Sequence, residues 1–345
     1  MRSAARAALV VVLAVSSAAC ASEEPSTEAV STASQPTMAT TIAPVASSAP
    51  STSRIEPSWS AAPPLLRARS AHGVVVAAGA LYAVGGTGED GKPITEVERF
   101  DGAGWIDVTV LPGGGVNAPS VAAVDGRIYV IGGFTGTSSR PTDEVWVYDV
   151  ASATWSTAAA LPTASGGHAA TVLGNKIHVI GGGTARSTIS DHVVYDPTTD
   201  AWASVAPLPQ AEGSPAAVVL NEQLWAIGGR SGRNDFGDVF IYDAATDAWS
   251  NGPAIDPRGT AGAVVACGTI LLVGGESQAT DQVLADVFAL DGDTWVPLQP
   301  LLTPRSFART VVLDDAVYVV GGSTEYGSSH ASRGSSAVER FATEC

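Results

Sequence analysis

Residues 128–133 read Ile-Tyr-Val-Ile-Gly-Gly, an apolar run closed by two glycines, and the pattern returns as LYAVGG at 81–86, IHVIGG at 177–182, LWAIGG at 224–229, ILLVGG at 270–275 and VYVVGG at 317–322. The first glycines of the doublets stand at 85, 132, 181, 228, 274 and 321, in steps of 47, 49, 47, 46 and 47 residues. Spacing this regular marks an internal repeat. Each run is apolar throughout with little polar alternation, which reads as a short strand buried on both faces. Further along each repeat a second apolar run ends in an aromatic residue and Asp: Phe100-Asp101, Tyr148-Asp149, Tyr195-Asp196 and Tyr242-Asp243, with Leu290-Asp291 and Phe341 in the same slot. A Trp follows across a polar turn, at 105, 155, 202, 249 and 295. One more strand precedes the next doublet, so the unit has four strands.

The composition agrees with an all-β chain. Of 345 residues, 45% are hydrophobic, enough for a core, while 37 Gly and 21 Pro supply turn punctuation. The formal net charge is −16 and the only lysines are Lys92 and Lys176, so the overall field repels phosphate backbones and anionic lipid surfaces. Nucleic acid is excluded as an expected partner. The N-terminus has the layout of an export signal, residues 1–20: Arg2 and Arg6, an apolar stretch from Ala7 to Val15, then small residues Ser16 to Ala19 before Cys20. That stretch is too short to span a bilayer. It resembles the lipobox of bacterial lipoproteins, which implies a diacylated Cys20 as the mature N-terminus and sole membrane attachment. Ser17 stands where that family usually has Leu, and ordinary cleavage after Ala19 or Ala21, giving a secreted protein, is the alternative. Residues 21–54 are mostly Ser, Thr, Ala and Pro without an aromatic, too poor in apolar surface to offset the entropy of ordering, and are expected to form a disordered tether.

The order of apolar strand with Gly-Gly, Tyr-Asp strand, Trp strand and a further strand resembles the kelch repeat, over residues Trp59 to Phe341. The resemblance implies a six-bladed β-propeller over residues 55–345. Physically, a four-stranded sheet cannot bury both its faces alone, so blades must stack around an axis, and a closed ring removes the exposed ends. The sixth repeat has no Trp after Phe341, whereas Trp59 precedes the first doublet without a repeat of its own. The segment around Pro57 to Ala61 is therefore expected to pair with Ala337 to Phe341, supplying the missing outer strand of the last blade.

Kelch propellers usually bind at the channel mouth formed by the loops after the Gly-Gly strands. Aligned on the doublets, the position sixteen residues before carries Arg69, Val116, Ser165, Glu212, Arg258 and Arg305. Three arginines in consecutive blades of a closed ring would form a basic arc suited to a carboxylate, sulfate or phosphate. The competing role for them is hydrogen bonding to loop backbone. Twelve residues before the doublet stand Gly73, Ser120, Ala169, Ala216, Gly262 and Arg309, so Arg309 is the one charged residue at a crowded inner position. A guanidinium there needs a partner, either Glu212 or an anionic ligand, unless it serves a structural ion pair. His72 and His168 share one repeat position in blades one and three, which are not neighbours, and His178, His192 and His330 add no ligand spacing, so no metal is expected. Glu96, Glu144, Asp191, Asp238 and Asp286 recur at one third-strand position and read as structural.

Galactose oxidase, an enzyme with kelch repeats, needs a copper held by tyrosines and histidines with a Cys–Tyr crosslink, and this chain has no such set. Nor does it carry a nucleophile elbow or a phosphate loop, and no cofactor is expected. Alignment puts Cys267 and Cys345 in turns on one face of adjacent blades, an arrangement that permits a disulfide in an exported protein. The functional expectation is an extracytoplasmic binding or protein-interaction module holding an anionic small molecule, glycan or peptide at the channel mouth. The alternative is a cofactorless sugar-acid enzyme like the sialate mutarotases that share the fold, with proton transfer through Glu212 or a His.

Overall fold

The computed structural model describes residues 58–136, 140–327 and 334–343. The expectations placed on residues 1–54, Cys20 included, and on Cys345 fall outside them. Residues Ile55–Cys345 form one unit, and within it six four-stranded antiparallel sheets make the blades of a propeller. The first blade is Gly73–Ala77, Ala80–Val84, Glu96–Phe100 and Trp105–Val110, running from the axis outward. The innermost strands of the next four blades are Ser120–Val124, Ala169–Leu173, Ala216–Leu220 and Gly262–Ala266. Each innermost strand touches those of both neighbouring blades, closing the ring around a central channel. Helical structure among the described residues is limited to one 3-10 turn at Pro112–Gly114.

The last blade is Arg309–Leu313, Ala316–Val320, Val338–Ala342 and, outermost, Trp59–Ala62. The register sets Trp59 opposite Phe341 and Ala62 opposite Val338, so the N-terminal strand completes the last blade as the repeat count requires. Trp59 also takes the slot of the other tryptophans. The indole N–H of Trp105 donates to Pro63 O at 3.0 Å, that of Trp202 to Ala159 O, Trp249 to Ala206 O and Trp295 to Pro253 O, each at 2.8 Å. Trp59 donates to Gln299 O at 3.0 Å and packs on the Phe341 ring, with centroids 5.2 Å apart. Every one of these bonds ties an outer strand to the loop that leaves the preceding blade.

The glycine doublets form the seam between blades. Both glycines of every doublet have positive φ, where a side chain is strained. The turn this creates aims the second amide at the next blade, on the carbonyl of the position sixteen before its doublet. Gly86 donates to Val116 O, Gly133 to Ser165 O and Gly182 to Glu212 O at 2.8 Å; Gly229 donates to Arg258 O at 3.1 Å; Gly275 donates to Arg305 O and Gly322 to Arg69 O at 3.0 Å. The last of these joins blade six to blade one. A Cβ on Gly85 would stand 2.5 Å from Val116 O, so the approach itself excludes a side chain. Between the sheets the core is apolar: Tyr82 and Val84 of blade one pack with Ile128, Val130 and Tyr148 of blade two, and the other blades repeat the arrangement.

A second ring lies where the chain enters each innermost strand. Ala71, Ala118, Gly167, Ser214, Thr260 and Phe307 occupy one repeat position and all have φ between 47° and 63°. Ala118 N donates to Ala71 O, Gly167 N to Ala118 O, Ser214 N to Gly167 O, Thr260 N to Ser214 O and Phe307 N to Thr260 O, at 2.6 to 3.3 Å. These five bonds make a backbone hoop around the axis. Left-handed φ costs a non-glycine residue about 1 kcal/mol or more, and the bonds of the hoop offset it.

Candidate functional site

The three arginines of the expected basic arc are turned into their own blades. Arg69 is fully buried; its Nη1 donates to Gly85 O at 3.0 Å and its Nη2 to the equally buried Glu98 carboxylate at 2.6 Å. Arg305 repeats this one blade back, donating to Gly321 O, to Ala337 O and to the carboxylate of Glu339. The same two carboxylates accept loop amides, Glu98 from Leu66 and Glu339 from Leu302, both at 2.8 Å. Arg258 lies over the Phe288 ring, 5.0 Å from its centroid, donates to Asp256 O and sits 3.7 Å from Asp286. Burial lowers all three guanidinium pKa values, and Glu98, Glu339 and Asp286 oppose that shift. Arg69 and Arg305, held through their Nη atoms by carbonyls and a carboxylate, fix the carbonyl at the end of the doublet strand while their own carbonyls receive the neighbouring blade.

Glu212 stands at the same position in blade four without such a pair. Phe240 occupies the third-strand place that Glu98 has in blade one. The Glu212 carboxyl is buried, takes one hydrogen bond from Gln210 at 3.2 Å and leaves Oε1 unpartnered. Burial pushes it up to about 8, against Gln210, which stabilises the anion, and with Asp238, which disfavours it. Glu212 is therefore largely a neutral acid near pH 7.

His72 and His168 are buried beside the doublets of the neighbouring blades. The single proton of the Ser120 hydroxyl goes to His168 O at 2.7 Å, so the 2.6 Å contact with His168 Nδ1 is made by an Nδ1–H. Burial lowers the His168 pKa to about 4 and that of His72 well below the usual histidine value, keeping both neutral. His178 and His192 bond to each other at 2.9 Å inside blade three. Among the described residues no three His, Cys, Asp or Glu side chains converge as a metal site. Cys267 lies in the turn between Ala266 and Thr269 and is disulfide-bonded; Cys20 and Cys345 are outside the described residues.

Arg309 does reach the channel, as its place in the repeat implies. Its Nε donates to His72 O at 2.7 Å, across the junction of blades six and one. A larger opening, which the repeat alignment misses, lies on the face of the doublet loops. It is a cleft of about 590 Å³ between the loops of blades four, five and six, bordered by Arg233, Glu276, Gln278, Asp281 and Tyr326. Its floor is the ion pair of half-buried Arg230 with buried Glu276, the guanidinium resting 5.3 Å from the centroid of Phe307. Asp235 holds the two loops together by accepting Gln278 N at 2.6 Å and Gln278 Nε2 at 3.0 Å. One signal for it was legible: Arg230 and Glu276 occupy the same repeat position, directly after the doublet, in neighbouring blades with opposite charge.

With the blades, the seam and the mouth described, the relationships of the chain are plain. The model of the KLHDC2/KLHL20/DRC7 Kelch-repeats domain matches residues 56–215 and 120–322. The chain belongs to the kelch-repeat family. Curated kelch relatives include mouse Kelch-like protein 35, 33% identical over 126 residues, and rat Kelch-like protein 38, 31% identical over 130 residues. Those stretches are 36% and 37% of this chain but 21% and 22% of the relatives, so the chain matches about a fifth of their length. Among solved structures, that of YjhT superposes with a TM-score of 0.69 at 16% identity, covering 80% of this chain and 95% of the other. At that identity the likeness is one of fold. The kelch propeller is typically an interaction module, and the loop face of this one carries its open cleft.

Proposed function

We propose that this kelch propeller is an exported binding module, tethered through a lipidated Cys20, that holds an anionic small molecule, glycan or peptide on its doublet-loop face. The cleft of about 590 Å³ carries the reading. Arg233 offers charge-assisted donors, the Gln278 carbonyl and the Asp281 carboxylate offer acceptors, and Tyr326, 36% exposed, presents a flat apolar ring. That mixture suits a ligand with hydroxyl or amide groups and a carboxylate. The net charge of −16 disfavours polyanions, which confines the preference to short ligands. The alternative, a cofactorless enzyme acting on sugar acids, draws on the Glu212 carboxyl, poised at about 8. That side chain is buried and borders neither the cleft nor the channel, which favours binding without turnover.

The test is titration calorimetry of the mature protein with sialyllactose, uronic-acid oligosaccharides and short acidic peptides, repeated with Arg233→Ala and Tyr326→Ala. Binding weakened at least about tenfold by either variant, without anomeric exchange by proton NMR, is the expected result. Binding indifferent to both variants refutes the cleft, and catalysed exchange of a bound sugar acid replaces the module with the enzyme. For the anchor, the mature protein is expected in the detergent phase of a Triton X-114 separation, and an entirely aqueous protein with an unmodified N-terminus ends that part of the reading.

A further inference from the structure

Arg309 opens the innermost strand of blade six, where the other five blades have Gly73, Ser120, Ala169, Ala216 and Gly262. The five small residues leave a cavity of about 110 Å³ on the channel axis, and Arg309 is the charged residue lining it. Its Nε is spent on His72 O. Its Nη1 and Nη2 meet no protein acceptor among the described residues, and no Asp or Glu lines the cavity. Burial lowers the pKa to about 10 with no carboxylate to oppose it, yet the group remains a full cation at neutral pH.

The neighbouring polar groups are already committed. The Ser120 hydroxyl donates to His168 O and the Thr310 hydroxyl donates to Ala263 O at 2.8 Å. His168 is neutral. The cavity thus holds one positive charge, a planar fork of donors and room for a few water-sized groups. A half-buried cation in a narrow channel without a counter-charge is incompletely hydrated, and an anion that enters offsets that cost.

We infer that the channel cavity at Arg309 is a binding site for a small monovalent oxyanion, the carboxylate of a short-chain acid or an inorganic ion of that size, held bidentate by Nη1 and Nη2. A single guanidinium balances one negative charge, and the fork spacing matches two oxygens on one centre. A second negative charge, as on sulfate, has no cation or free donor to meet it there. The site gives the anion-binding role of Arg309 a ligand class. It shares no residue with the loop-face cleft, so either can fail without the other.

The experiment follows the thermal midpoint of the mature protein in Bis-Tris chloride as chloride is replaced by formate, acetate, nitrate or sulfate at constant ionic strength. Formate, acetate and nitrate are expected to raise the wild-type midpoint above that of Arg309→Met in proportion to the logarithm of concentration, whereas sulfate, acting by surface exclusion, shifts both alike. A response to acetate and not nitrate assigns the site to carboxylates, and the reverse to inorganic ions. Arg309→Met removes the response, Arg309→Lys weakens apparent affinity at least about tenfold, and Lys92→Met, at an exposed cation outside both the channel and the cleft, leaves it unchanged. No monoanion response over chloride in the wild type, or a response that survives Arg309→Met, overturns the proposal. Should Arg309→Met fail to fold, a crystal of the wild type soaked in acetate decides: density bridging Nη1 and Nη2 supports the site, and water alone refutes it.

Discussion

Replacing Trp59 by alanine tests how the ring is held shut. The side chain is 5% exposed, packs with Leu301, Val317 and Val319, stacks on Phe341, and donates its N–H to Gln299 O. Truncating a buried Trp costs about 3–5 kcal/mol, of which the lost hydrogen bond accounts for about 1 kcal/mol. For a domain of this size about 2 °C of thermal midpoint goes with each kcal/mol, so Trp59→Ala should melt roughly 6–10 °C lower. Trp249→Ala is the control, because it empties the same slot in a blade whose four strands are contiguous in sequence. The two variants separate in hydrogen exchange. Loss of Trp59 should expose the amides of Val338–Phe341 that face the N-terminal strand, while loss of Trp249 leaves them protected. A midpoint within about 2 °C of wild type, or unchanged protection of that strand, would refute the latch as the element holding blade six to blade one.

Three further outcomes follow from buried charge. Glu212→Gln replaces a neutral acid by its isostere: the folded carboxyl is raised above the usual 4.5, so the wild type loses stability as pH climbs from about 4.5 to 8. The variant should lack that slope and gain on the order of 3 kcal/mol at pH 9 in urea unfolding, and parallel profiles would disprove the assignment. His168, His178 and His192, each lowered to about 4, bind protons in the unfolded chain first, so stability is complete above pH 6.5 and falls toward pH 4. A loss of at least about 3 kcal/mol between pH 7 and 4.5 is expected, against which a flat denaturant midpoint would count. Arg69→Met should cost about 3–5 kcal/mol by stranding the Glu98 carboxylate, and Arg69→Met with Glu98→Met should recover most of it; equal losses in single and double variants would show that the pair is not coupled.

The doublets, the Tyr-Asp strand ends and the unclaimed Trp59 made the blade count and the closure legible, because each is a residue type that the repeat places at a fixed depth. The direction of a side chain was not legible. Arginines at 69, 258 and 305 fit a basic mouth as well as a buried strut, and the choice lies with carboxylates at 98 and 339 that enter from the third strand. The pairing of Arg69 with Glu98 and of Arg305 with Glu339 does recur at matching repeat positions, so a joint reading of both columns would have found it. The backbone hoop left no trace, since Ala71, Ser214 and Phe307 share a left-handed φ but no chemistry. Of the loop-face cleft only the opposite charges of Arg230 and Glu276, directly after their doublets, were legible, because the rest of its loops differ from blade to blade and periodicity is blind to them. Arg309 was found as the exception in an otherwise uniform column of small residues.

The latch has a consequence for how the protein is made. Of the strands that make the propeller, the one holding Trp59 is synthesised first and the one holding its partner Phe341 last. The Trp59 bond to Gln299 spans 240 residues, so closing the ring has a high entropic cost that local contacts cannot share. Five blades can assemble from contiguous sequence while the sixth needs its strands from both sides of the other five. A polypeptide that stops short of Val338 would leave Trp59 unhoused and the edge of Ala316–Val320 open. A propeller cut short before that strand therefore shows open sheet edges, and pairing of Val338–Ala342 with both neighbours covers them.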